Sequence, residues 1–276
     1  MKKLLALAFA LVLVLALAAC GDTTEPAADD GSNTTEPVTI RVGASPTPHA
    51  EVLEQVVDVL AEQGIDLQVV EYTDYGVPNT AVEEGEDDAN YFQHTPYMNN
   101  FNAENGTHLV NVADVHYEPM GIYAGKTASL EELADGATVA VPNDATNEGR
   151  ALLLLAAQGL ITLSEDAGLE CTPNDIVDNP HNQKFQELEA AMLPQVLDDV
   201  DIAVINSNYA LQADLNPVED SLAMETAEGT PYPNVLCVKE GNENNPAILA
   251  LIEALHSDAV RDYINNTYGG AVVPLF

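Results

Sequence analysis

Arg150 is one of six cationic side chains beyond Cys20, with Arg41, Lys126, Lys184, Lys239 and Arg261, in a chain that carries 45 Asp and Glu residues. It lies in Pro142-Asn-Asp-Ala-Thr-Asn-Glu-Gly-Arg-Ala-Leu-Leu-Leu-Leu155, where an apolar strand from Thr138 to Val141 gives way to polar capping residues and an apolar helix. The start of a helix already carries partial positive charge from unpaired N–H groups, so an arginine there calls for an anion. Two anions meet that need: a small ligand carboxylate held between the guanidinium fork and the helix start, or one of the chain's own acids.

A second unusual segment is Asp88-Ala-Asn-Tyr-Phe-Gln-His-Thr-Pro-Tyr97, which gathers Tyr91, Phe92, His94 and Tyr97 in a chain with 10 Tyr, 5 Phe and no Trp. Aromatics at this density, mixed with amides, suit a pocket with an apolar wall and a few polar anchors, although each ring taken alone also suits a core. Tyr75, in Thr73-Asp-Tyr75 after an expected strand, adds another ring. The six histidines, His49, His94, His108, His116, His181 and His256, include no close ligand pair of the HExxH or HxH kind. No G-x-S-x-G, P-loop or G-x-G-x-x-G turn is present, and paired acids such as Glu187/Glu189 and Asp198/Asp199 read as solvated faces.

The elements that position these residues alternate. Val38–Val42, Leu67–Val70, Leu109–Val112, Met120–Ala124, Thr138–Val141, Ile202–Ile205 and Val235–Val238 read as strands. His49–Gln63 reads as a helix with Val52, Leu53, Val56, Val57 and Leu60 on one face and Gly64 as its stop. Ser129-Leu-Glu-Glu132 has the spacing of a capping box opening a further helix, and Pro246–His256 and Ser257–Tyr268 close the chain helically. Such alternation predicts an α/β fold of mixed, mostly parallel sheets, with ligands collecting beyond the carboxyl ends of the strands. Asn143 and Asn206 follow two of those ends, so they and Arg150 are expected to converge on one cleft.

Met1-Lys2-Lys3, sixteen uncharged and mostly apolar residues, and Cys20 read as a secretion signal at 1–19, too short for a comfortable membrane span. Leu17-Ala-Ala-Cys20 resembles the bacterial lipobox, which implies cleavage before Cys20 and lipid, palmitate included, on Cys20. Residues 20–37 hold little to bury and read as a flexible linker. The net charge of −37 argues against nucleic acid and against an electrostatic membrane patch. Cys171 and Cys237 lie far apart, and whether they pair is left open.

Together these residues resemble the methionine-binding lipoproteins that serve ABC importers, the MetQ/NlpA family. The matching segments are Val42-Gly-Ala-Ser-Pro-Thr-Pro-His-Ala-Glu51, Tyr72–Tyr75, Asp88–Tyr97, Pro142–Leu155, Gln186–Glu189 with Leu197–Asp199, Ala203–Asn206, Pro231–Val235 and Gly270–Pro274. The resemblance implies a two-lobed, periplasmic-binding-protein-like fold of type II character with crossover hinge strands. One lobe would hold 38–120 and 235–276 and the other 121–234. It makes Arg150 the partner of a ligand carboxylate, with Asn206 and Asn234 fixing the α-amino and carboxylate groups and Asn147 close to the carboxylate. Tyr75, Phe92, His94 and Tyr97 would wall a thioether side chain. It further implies an extracytoplasmic, lipid-anchored receptor without cofactor, handing L-methionine to a membrane permease and its ATPase. Three other readings stand beside it. The ligand is another amino acid, D-methionine or a methionine-containing dipeptide; the chain is a zinc or manganese receptor using His49, His94 or His116, the segments around His49 and His116 loosely resembling those of such receptors; or it is a secreted α/β hydrolase. Two departures from the family pattern, Asp87 in place of an apolar residue and Tyr91, bear on pocket shape.

Overall fold

The computed structural model describes residues 36–227 and 229–276. The leader at 1–19, Cys20 and all but the last two residues of the 20–37 linker lie outside the described residues. No helix among the described residues is long and apolar enough to cross a membrane.

The strands are β1 (Val38–Ala44), β2 (Ile65–Glu71), β3 (Ala89–His94), β4 (Leu109–Tyr117), β5 (Gly121–Ala124), β6 (Thr138–Pro142), β7 (Thr162–Leu163), β8 (Ile176–Asp178), β9 (Lys184–Leu188), β10 (Ile202–Ile205), β11 (Ser221–Met224), β12 (Pro233–Lys239) and β13 (Val273–Pro274). The helices are α1 (Glu51–Glu54), α2 (Val57–Ala61), α3 (Val77–Glu84), α4 (Thr95–Asn105), α5 (Ala145–Ala157), α6 (Ser207–Gln212), α7 (Pro246–Leu255) and α8 (Asp258–Tyr268). One sheet runs β13-β4-β12-β3-β1-β2, a second runs β11-β5-β10-β6-β9, and β7 and β8 form a small ribbon. The chain passes from the first sheet to the second between β4 and β5 and returns between β11 and β12.

Each sheet buries its own apolar set, as strands covered on both faces must. Val42, Leu53, Leu60, Leu236, Ile248, Leu251 and Ile264 are in the core of the first. Met120, Ile122, Val139, Leu152, Leu155, Ile202 and Val204 are in the core of the second. The α/β class is as expected, but parallel pairing does not predominate. It is confined to β1–β2, β1–β3, β6–β10 and β6–β9, while β12 with β3 and β4, β13 with β4, and β5 with β10 and β11 are antiparallel. The segments that carry the chain from one sheet to the other and back run against the strands that alternate with helices.

Two expected helices are corrected. The stretch expected as one helix, His49–Gln63, is broken into α1 and α2, because Gln55 and Val56 donate to Val52 and Leu53, three residues back instead of four, which tightens the turn at a β-branched pair. The apolar face is nonetheless as read, with Val52, Leu53, Val56 and Leu60 buried. The Ser129 segment makes only one 3₁₀ turn, Leu130–Glu132, without a side-chain cap, and Gly136 at φ +77° turns the chain away. The unusual Asp87 is buried because Tyr72 donates to its Oδ2 at 2.8 Å and Arg41 Nε approaches its Oδ1 at 3.2 Å. Cys171 and Cys237 are both free thiols, the first donating toward the Gly149 carbonyl and the second toward Met98 Sδ.

Candidate ligand-binding site

One cavity, with about 340 Å³ of empty space, is lined by Tyr75, Phe92, Gln93, His94, Tyr97, Glu118, Asn147, Arg150, Asn206, Ser207, Asn208 and Asn234. It contains all eight of the ligand-binding residues expected from the sequence: Arg150, Asn206, Asn234, Tyr75, Phe92, His94, Tyr97 and Asn147. Asn143, expected to join them, is not among the lining residues. The lining comes from the ends of β3, β10 and β4, the segment between β2 and α3, the first turns of α4 and α6, the first two turns of α5, and the start of β12. Ends of parallel strands and starts of the helices that follow them leave backbone groups free to face a ligand.

The apolar wall is aromatic. Tyr75 lies 5.8 Å from Phe92 and 5.7 Å from Tyr97 between ring centroids, and Phe92 lies 6.2 Å from Tyr97. These spacings fall in the range where edge and offset contacts stabilise ring clusters. Burial pushes the Tyr75 and Tyr97 hydroxyls well above their ordinary pKa, so both are neutral. Tyr75 donates to Asn208 Oδ1 at 2.6 Å, which fixes its ring in the wall. Tyr91 is not part of the wall: it is fully buried and its hydroxyl bonds His116 Nδ1.

The polar side is ordered by one network. Asp144 caps α5 by accepting the Asn147 backbone N–H at 3.0 Å, and its carboxylate also takes the Asn147 side-chain amide. Asn147 Oδ1 then accepts from Asn206 Nδ2 at 2.8 Å and from His94 Nε2 at 3.1 Å. His94 Nδ1 accepts the Tyr97 N–H at 3.1 Å, so the ring carries its hydrogen on Nε2. Burial, and secondarily the nearby Arg150 charge, lower the His94 pKa to about 3. With its amide nitrogen committed to Asn147, Asn206 turns Oδ1 to the cavity, where it is buried with no partner among the described residues.

Arg150 sits in the second turn of α5, buried, and the anion the structure places against it is one of the chain's own acids. Nε donates to Glu225 Oε1 at 2.8 Å, and Nη2 donates to Glu225 Oε2 at 2.6 Å and to the Glu118 carbonyl at 2.7 Å. The Tyr232 ring lies 4.4 Å from the guanidinium carbon. Burial opposes the Arg150 charge, but Glu225 outweighs it and holds the pKa above its ordinary value. The remaining nitrogen, Nη1, has no partner among the described residues, while the side chain lines the cavity. The internal ion pair thus fixes the guanidinium without consuming it.

Sequence reading missed Glu118, Glu225, Ser207 and Asn208. Among 45 acids neither glutamate stands out in the sequence, and the burial that sets Glu118 apart is visible only in the structure. Of the histidines, His49 and His116 meet Glu118, with the three ligating atoms within 4.8 Å of one another. His94 belongs instead to the Asn147 network.

The NlpA lipoprotein family model matches residues 40–276. The Bacillus subtilis methionine-binding lipoprotein MetQ is 39% identical over 279 residues, covering 100% of this chain and 99% of its own. A lipoprotein from Ruminococcus gnavus superposes with a TM-score of 0.85 at 51% identity, covering 86% of this chain and 99% of its own. A nutrient-binding protein from Burkholderia cenocepacia, solved bound to methionine, gives a TM-score of 0.83 at 41% identity, covering 86% of this chain and 100% of its own. By this match over most of its length, the chain belongs to the NlpA lipoprotein family.

Proposed function

We propose that the chain is a lipid-anchored receptor on the extracytoplasmic side of a bacterial membrane, which captures methionine in this cavity and passes it to an ABC permease and its ATPase. The observation that carries the reading is the pairing, across one small cavity, of Arg150 Nη1 with the Tyr75–Phe92–Tyr97 wall. A carboxylate takes a charge-assisted hydrogen bond from the guanidinium, and an unbranched thioether suits aromatic edges through sulfur–ring contact. Asn234 adds a donor: its Oδ1 receives His49 Nε2 at 2.9 Å, which leaves its amide nitrogen for the ligand carboxylate. The Bacillus relative's name and the ligand of the Burkholderia structure support the same side chain.

Two sheets with separate cores support two lobes, 38–120 with 235–276 and 121–234, closing on the ligand near the points where the chain leaves β4 and β11. Ser207, the cavity's serine, commits its hydroxyl hydrogen to the Pro119 carbonyl, which disfavours its use as a nucleophile. Thermal unfolding of the protein with each amino acid in turn tests the reading. L- or D-methionine is expected to raise the midpoint most, by several degrees at saturating ligand. No shift with either enantiomer would refute it.

A further inference from the structure

Outside the cavity, the face shared by helices α3 and α4 carries features that ligand capture does not use. Val77, Ala81 and Glu84 follow one another along α3 at the spacing of a single helix face, and Phe101 stands opposite them on α4. Between the two helices runs an open groove with about 690 Å³ of empty space, bounded further by Asp74 and Glu86. Its apolar floor is uncovered. Val77 is 47% exposed, and Phe101 is only half-buried where it packs against the small core that holds Val82 and Met98.

Three carboxylates rim this groove, and none of the six cationic side chains beyond Cys20 lines it. Asp74 Oδ1 accepts the Gly76 and Val77 N–H groups at the start of α3. Glu84 and Glu86 are exposed, and neither has an ion-pair partner among the described residues. The adjacent Glu83 shows the contrast: Lys239 Nζ lies 2.9 Å from its Oε1, and the His108 N–H donates to its Oε2 at 2.8 Å. The groove also adjoins the cavity. Tyr75 of the cavity wall directly follows Asp74, and α4 passes from Tyr97 in the wall to Phe101 in the groove one turn later, with the two ring centroids 6.3 Å apart.

We propose that the α3–α4 groove is a docking surface for the permease and seats a basic, partly apolar segment of its extracytoplasmic face, with a Lys or Arg head among Glu84, Glu86 and Asp74 and its stem over Val77 and Phe101. The inference rests on the receptor reading above and adds the surface and the chemistry of the handover. Unpaired carboxylates steer and orient a cationic partner, while the stem of a Lys or Arg covers apolar surface and a guanidinium also stacks on an aromatic ring. Acids are scattered over the whole chain, so charge alone does not single out this face. The uncovered apolar floor and the shared elements do: a partner seated here touches α4 and the segment before α3, both of which carry rings of the cavity wall.

Uptake of labelled methionine by the source cells, with the gene replaced by each variant, tests this beside calorimetry on the purified chains. Glu84→Lys with Glu86→Lys reverses the rim charge, and a Lys at the end of α3 suits the helix dipole, so the fold is expected to hold. This double variant should bind methionine within about twofold of wild type, because neither residue lines the cavity, yet lose about tenfold or more of the receptor-dependent uptake. Glu253→Lys with Asp262→Lys makes the same charge change on α7 and α8, and its uptake should match wild type. Wild-type uptake by the groove variant overturns the proposal, as does an equal loss in both double variants, which would mean that total charge and not this groove governs the handover. If the groove variant fails to fold or to bind methionine, Glu84→Gln with Glu86→Gln takes its place; about threefold or more loss of uptake is then expected, and no loss overturns the proposal. A wild-type chain that binds no methionine, with uptake unchanged when its gene is deleted, refutes the receptor reading itself, an outcome distinct from methionine binding and uptake that do not depend on the groove.

Discussion

Glu225 holds Arg150 at two points, Oε1 on Nε at 2.8 Å and Oε2 on Nη2 at 2.6 Å, from the segment that leads the chain from β11 back toward β12. The same carboxylate accepts the Tyr117 hydroxyl at 2.9 Å, at the end of β4, and the Met120 N–H at 2.8 Å, on the outward crossing between the sheets. One side chain therefore joins helix α5, the outgoing connection and the returning one. Removing it as Glu225→Ala leaves a buried guanidinium without its counter-charge, and the expected loss is about 3–5 kcal/mol of folding stability. Glu225→Gln keeps the shape and part of the hydrogen bonding and should lose less. Urea unfolding of both variants checks the order, and equal stability of Glu225→Ala and wild type would remove Glu225 from this role.

Arg150 itself is expected to control affinity. Arg150→Ala should cost about 2–5 kcal/mol of methionine binding, since the ligand carboxylate would be buried unpaired. Arg150→Lys is not a conservative change here. An ammonium cannot reproduce the fork that meets Glu225 at two points and the Glu118 carbonyl and still leave a nitrogen for the proposed ligand carboxylate, so it should lose more than about tenfold in affinity. Calorimetry on the folded variants, with folding confirmed by thermal melts, decides it; wild-type affinity in Arg150→Lys would mean that charge alone suffices.

How much of this was legible from the sequence depends on what the residues face. Ile202–Ile205 is a strand to the residue because four apolar side chains, all buried, leave no other reading. Arg150 was legible as a cation in need of an anion, and the one the structure shows is Glu225, distant in sequence. The strand β3 was hidden because Asn90, Gln93 and His94 break the apolar alternation, yet all six of its residues are buried. Its amides are satisfied sideways: Asn79 donates to Gln93 Oε1 at 2.9 Å, and Gln93 and Asn90 donate to Asn79 Oδ1 at 2.6 and 2.9 Å. Such a partner lies on another element, α3, and no local pattern announces it. Glu118 and Glu225 were missed for the opposite reason, an excess of identical residues around them.

Gly149 couples packing to the site. A Cβ there would lie 2.2 Å from the Leu169 carbonyl oxygen and 2.9 Å from the Cys171 nitrogen, so the 168–171 backbone approaches α5 only because position 149 has no side chain. The clash is with backbone atoms, which cannot rotate aside. Gly149→Ala is expected to lower stability by about 1–3 kcal/mol, even though alanine favours helix at exposed sites. Because Arg150 is the next residue, methionine affinity should fall as well. Thermal melts and calorimetry on the variant check both, and a stabilised variant would show that the loop moves away freely.

The pH dependence of stability should carry the signature of His94. Its ring is neutral in the folded chain, with a pKa lowered to about 3 by burial and by Arg150, whereas an unfolded histidine titrates near its ordinary value of about 6.5. Between those values the unfolded chain binds a proton that the folded chain refuses, so acidification from about pH 6.5 toward 3 draws the equilibrium toward unfolding. His49 and His116 act in the same sense. Glu148, held up to about 7 by burial and by Glu187 and Asp144, acts oppositely, as does Glu118, raised by burial. The total slope is therefore a composite, and a difference between variants isolates one group. Urea unfolding at pH 7.5 and 4.5 should show wild type losing on the order of 2 kcal/mol more than His94→Gln across that interval. Identical losses would mean that His94 takes up its proton in the folded state, with Asn147 and Tyr97 rearranged around it.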